Sequence, residues 1–156
     1  MEHLKQACGG HGFLNISGLS QNHLNMNGFL TAEGDGAVLA QQTARFLFKS
    51  LQQVMSGKKV EQKSIAFFNN WQDIQQKKCS DYPDMKEKLL VAFQARCLYT
   101  LGNASKILLK SKQQGKDFTT VWNEDVQMDI VNASVHFTDA FQMQCFYEAL
   151  SDSSVV

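Results

Sequence analysis

The sequence predicts an all-α protein, a helical bundle entered through one glycine-rich loop, and three observations carry that prediction. A single proline, Pro83, occurs in 156 residues. No alternation of apolar and polar residues lasts long enough for a strand, and apolar residues recur at spacings of three and four along the C-terminal two thirds. Residues 9–32 are the exception. Their richness in Gly, Asn and Ser ("GGHGFLNISGLSQNHLNMNGF") predicts an ordered loop with room for one helical turn.

The first long helix is expected from about Asp35 to Met55. Val38, Leu39, Gln42, Ala44, Phe46, Leu47 and Leu51 give it a wide apolar face, Asp35 suits its N-cap, and Gly57 is its stop signal. In "SIAFFNNWQDIQQ", Phe67, Phe68 and Trp71 place an apolar edge on a short helix. Pro83 suits the first turn of the next helix, with Asp81 and Asp84 at its positive end. Leu90, Phe93, Cys97, Leu101, Ala104 and Leu108 then form a buried stripe as far as Gly115. A last helix is predicted from about Phe118 to Ser151, with Val126, Ile130, Ala133, Phe137 and Phe141 inward and Trp122 packing its start. We divide the chain into residues 1–55, the loop and first helix, and residues 56–156, the remaining helices.

Lysine plus arginine balance aspartate plus glutamate at 15 each. A neutral chain lacks the basic footprint of a nucleic-acid or anionic-membrane binder, and no apolar run approaches a membrane span. The four cysteines, Cys8, Cys79, Cys97 and Cys145, follow no disulfide spacing. Cys97 and Cys145 fall in apolar helical patterns and read as buried thiols in a reducing compartment. Cys8 and His11 resemble half of a zinc site, but no second ligand pair follows, so no metal is expected. The start "MEHLKQACGG" lacks a signal peptide's basic and apolar regions, and "SVV" is not a peroxisomal Ser-Lys-Leu address.

Two stretches invite a chemical reading. Gly9-Gly10-His11-Gly12 is either a helix C-cap leading into a flexible loop or a backbone stripped of side chains for a flat or phosphorylated cofactor. His11 bonds either a phosphate or the loop backbone. Glu33, between Ala32 and Gly34, is either an acidic residue favoured by the following helix dipole or a base whose pKa an apolar lip raises. The histidines His3, His23 and His136 read as structural or exposed.

Taken together, "CGGHGF…SGL…EGD…VLAQQTARFL" is far more specific than either half. With Glu33 placed 24 residues after Gly9, this pattern resembles the acyl-CoA oxidases of the acyl-CoA dehydrogenase superfamily. Gln42-Thr43-Ala44-Arg45-Phe46-Leu47 is similar to the oxidase form, and residues from Lys88 to Phe137 look more loosely like the family's C-terminal helical domain. The resemblance implies a fold like the C-terminal domains of these oxidases and FAD as cofactor, held mainly by domains outside this chain. It implies Glu33 as catalytic base and Gly34 beside the thioester of a fatty acyl-CoA. Cys8, Gly9, Gly10, Asp35 and Gly36 fall next to the flavin. It also implies a peroxisomal location, and a homodimer or pairing with an intact oxidase subunit. Ala32 and Gly36 stand where the family usually has an aromatic residue and an asparagine.

Overall fold

The computed structural model describes residues 2–27, 32 and 34–151, and among these the chain is helix and turn with no strand. It divides into two compact units, residues 1–39 and 40–156.

In the first unit, helix α1 (Glu2–Ala7) ends at Cys8, and Gly9 takes the left-handed φ of 55°. The chain then makes two 3-10 turns, Gly9–Phe13 and Asn15–Ser17, before α2 (Leu19–Asn27). Most of the stretch expected to be a loop is therefore helical. Its serines are turned onto nearby backbone: Ser17 Oγ donates to Leu14 O at 2.7 Å and Ser20 Oγ to Gly12 O at 3.1 Å. Helix α2 packs on both α1 and the Gly9–Phe13 turn. That docking overrides the poor helix propensity of Asn, Ser and Gly.

Helix α3 (Gly36–Met55) starts at Asp35, whose carboxylate accepts from the N–H of Ala37 at 2.9 Å and of Val38 at 3.4 Å. Gly57, at φ 83°, ends it, with Lys58 N–H returning to Gln53 O at 3.0 Å. A 3-10 segment (Lys63–Asn70) leads into α4 (Trp71–Gln76). The Asn69 amide clamps the loop between α3 and this segment by bonding both the N–H and the C=O of Val60 at 3.0 Å.

Helix α5 (Met85–Gln113) begins two residues later than the proline rule suggests. Asp84 is its cap, accepting from Glu87 N–H at 2.7 Å, and Pro83 lies outside. Asp81 instead closes the preceding turn by accepting from Lys78 N–H at 2.9 Å. Gly115, at φ 71°, stops α5 as expected. The predicted last helix is broken: a turn of α6 (Phe118–Thr120) and a wide π turn (Val121–Asp125) precede α7 (Gln127–Ser151). The π turn keeps Val121, Trp122 and Val126 all on the buried side. The Trp122 indole N–H donates to Gln41 Oε1 at 3.3 Å, and the Arg45 guanidinium lies 5.3 Å from its ring.

Helices α5 and α7 pack along their lengths. Leu47 and Leu51 of α3 join Ile65, Phe68, Cys97, Leu98, Leu101 and Ala133 in one cluster, and Ala44, Trp122, Val126 and Ile130 form a second. Each fully buried Leu, Ile or Phe contributes roughly 1.5–3 kcal/mol. Burial pushes the Cys97 thiol up to about 12, against a smaller opposing pull from Arg96, so it is an inert core group. Cys145, expected to be buried, is exposed, because its position on α7 faces away from α5. Phe141 is also 38% exposed.

One polar seam runs between α5 and α7. Thr100 Oγ1 and His136 Nδ1 lie 2.9 Å apart, Thr100 also donates to Arg96 O, and Arg96 pairs with Asp139. Burial, helped by the Arg96 charge and opposed by Asp139, lowers the His136 pKa from its ordinary 6.5. The unfolded chain therefore binds the imidazole proton more readily than the folded one, and stability falls as pH drops through 6.5. Thermal midpoints between pH 7.5 and 5.5 should fall more steeply for the wild type than for His136→Gln.

Candidate functional site

The first unit carries every residue of the sequence-predicted site, and the structure divides them into three groups. Cys8, Gly9, Gly10 and His11 are exposed on the turn after α1. A Cβ built on Gly9 or Gly10 meets no atom within 4 Å, so the backbone there is open to a flat ligand. Gly9 has the φ of a helix C-cap, one that side chains disfavour, but 3-10 turns rather than a flexible loop follow it.

Gly12 behaves differently. It is buried, and a Cβ there would lie 1.9 Å from the carbonyl oxygen of Lys5. This glycine lets the turn close against α1, and the Lys5 ammonium sits 5.2 Å from the Phe13 ring on the same contact. The third glycine of the motif therefore builds the platform on which the first two are displayed. Sequence reasoning did not separate these roles, because close backbone approach leaves no signature beyond the glycine itself.

Gly34, Asp35 and Gly36 form the lead into α3. Gly34 has φ 135° and packs at 3.7 Å against the Leu39 side chain, so the backbone itself demands glycine there. Asp35 is the helix cap, its carboxylate committed to two backbone N–H groups. Gly36 is open. Glu33 lies outside the described residues. Among the described residues no hydrogen bond or ion pair joins the Cys8–Gly12 turn to Asp35 or Gly36.

The downstream part of the motif is split in the same way. Ala44 and Leu47 have no exposed surface and belong to the core, whereas Arg45 stacks on Trp122. Among the described residues no cluster of His, Cys, Asp or Glu has the spacing to hold a metal ion, and no helix is long and apolar enough to cross a membrane.

Two family models match. Residues 1–48 match the acyl-CoA oxidase C-alpha1 domain, and residues 85–155 match the acyl-CoA oxidase model. The chain is 34% identical to human peroxisomal acyl-coenzyme A oxidase 1, over 96% of this chain and 24% of that protein. It is 32% identical to an acyl-coenzyme A oxidase of Debaryomyces hansenii, over 88% of this chain and 19% of that protein. Among solved structures it is similar to an acyl-CoA oxidase of tomato (Lycopersicon esculentum), with a TM-score of 0.70 and 27% identity over 97% of this chain and 23% of the other. The chain thus spans about a quarter of the length of these relatives.

Gly12→Ala should destabilise the first unit by about 1–3 kcal/mol, since a backbone carbonyl rather than a flexible side chain must move. Gly10→Ala, with open space and an ordinary φ, should change it by less than about 0.5 kcal/mol. Amide hydrogen exchange over residues 2–27 distinguishes the two outcomes.

Proposed function

This chain belongs to the acyl-CoA oxidase family, and on that premise we propose that it supplies the catalytic base and part of the cofactor-facing backbone of an FAD-dependent oxidase. The reaction converts a fatty acyl-CoA and oxygen to a trans-2-enoyl-CoA and hydrogen peroxide. The observation that carries this reading is the open turn at Gly9 and Gly10, followed after 24 residues by Glu33 at the lead into α3.

Glu33 takes the proton from the carbon next to the thioester, and Gly34 leaves room for the thioester beside it. FAD, when bound, would supply the two-electron acceptor chemistry that this reaction needs. Cys8, Gly9 and Gly10 face the cofactor with backbone rather than side chains, and Gly36 adds a second bare position. Asp35 caps α3 and fixes the start of that helix, two residues after Glu33 in the sequence. Ala32 offers less wall than an aromatic residue, which lessens the desolvation of Glu33. The peroxisomal relatives support the same compartment for this protein.

We expect no turnover from these 156 residues alone, because the described part holds no strand-built platform for the flavin ring. The test replaces the matching quarter of the human relative with this chain and measures peroxide released from a fatty acyl-CoA. Glu33→Gln should lower it by about 10²- to 10⁴-fold. Unchanged output would remove Glu33 from the chemistry.

A second reading, a helical module that pairs with itself or with an intact oxidase subunit, is favoured by the apolar side chains left in solvent. Ile16 is 94% exposed and Leu24 62%, and in the second unit Met55 is 65% and Phe146 57% exposed. Surfaces of this kind mark contacts with further protein. Sedimentation of the purified chain should show dimers or complexes with an added oxidase subunit. A monodisperse monomer that ignores the subunit rejects the pairing.

A further inference from the structure

A groove of about 850 Å³ opens in the second unit between the Lys63–Asn70 segment with α4, the start of α5 and the end of α7. Its volume is that of a small-molecule site. At its floor lies Gln94 of α5, only 9% exposed, whose side-chain amide bonds no described residue. No fully enclosed polar atom in the described structure lacks a partner, so this amide faces the groove. A nearly buried amide with two donors and an acceptor unused is costly unless a ligand or water meets it.

The rest of the lining says what such a ligand resembles. Lys63 is paired with Glu148 at 2.9 Å and Lys77 with Asp73 at 3.8 Å, so both carboxylates are already neutralised. Lys86 is different. It donates to Ser151 Oγ at 3.0 Å and lies 5.2 Å from the Tyr147 ring, with no carboxylate partner among the described residues. Lys86 and Gln94 are eight residues apart on one helix, about 12 Å along its axis, and Leu90 and Val91 line the groove between them. The stripe on α5 therefore reads cation, apolar wall, amide.

We propose that this groove is a binding site for an amphipathic carboxylate whose far end carries a hydrogen-bonding group. The carboxylate meets Lys86, an apolar stem of about ten carbons spans the 12 Å past Leu90 and Val91, and the far group meets Gln94. A hydroxyl suits that far end because it both donates and accepts, as the Gln94 amide does. The site is independent of Glu33 and the flavin-facing turn.

The test is isothermal titration of the 156-residue chain with 10-hydroxydecanoate and with decanoate. Saturable binding of one 10-hydroxydecanoate per chain is expected, about fivefold tighter than decanoate. Gln94→Leu, close in size but apolar, should reverse that preference, and Lys86→Met should weaken both ligands by about fivefold or more. Absence of saturable binding to the wild type overturns the proposal. So does an unreversed preference in a Gln94→Leu variant whose circular dichroism is native. Should Gln94→Leu fail to fold, the exposed Lys86→Met decides, and unchanged affinity there overturns it. Sedimentation showing that Lys86→Met dissolves a dimer would overturn it as well, by assigning the groove to a second copy.

Discussion

The close approach of α5 to α7 is the constraint on which the second unit rests. Small side chains allow it: Cys97, Ala104, Ala133, Ser134 and Ala140 are buried at or beside the contact. The Cys97 sulfur comes within 4.0 Å of Ala133 O, and Ser134 Oγ reaches out of α7 to donate to Ala40 O at 2.6 Å. A larger residue at any of these points would separate the helices and open the clusters that hold Leu47, Phe68 and Ile130. The cost of such closeness is that few polar groups fit between the helices. Those of the described seam are paired, Thr100 with His136 and Arg96 with Asp139.

The first unit is organised by a different closeness, of backbone on backbone. Gly12 against the Lys5 carbonyl brings the Gly9–Phe13 turn onto α1, and α2 then covers both. A turn held in this way leaves Gly9 and Gly10 bare while Gly12 carries its packing on α1. Display of open backbone on a braced turn is what a cofactor-facing loop requires: low steric bulk with little conformational freedom to lose on binding. The lead into α3 shows the same division of labour. Asp35 is committed to capping, and Gly34 to a φ that only glycine tolerates easily, so both serve the backbone at the start of α3.

The motif that identifies the family therefore mixes residues of unlike physical purpose. Ala44 and Leu47 are core, Arg45 covers Trp122, Gly12 is packing, and Gly9 and Gly10 are open surface. Such a pattern recognises a fold and its site together, which explains why it is more specific than either glycines or a carboxylate alone.

Much of this protein was legible in its sequence because the relevant physics is local. Helical spacing of apolar residues predicted α3, α5 and the inward face of α7. The glycines at 57 and 115 marked helix ends, and Asp35 its cap, since each depends only on neighbouring backbone. What depended on distant partners was not legible. Residues 9–27 are poor helix formers by composition and become helical through docking on α1. The π turn at Val121–Asp125 exists because Trp122 must be buried against α3. The exposure of Cys145 and the open amide of Gln94 follow from which face of each helix its neighbours cover. Local propensity and periodicity are properties of the chain itself, whereas burial and close approach come into being only when segments far apart in sequence meet.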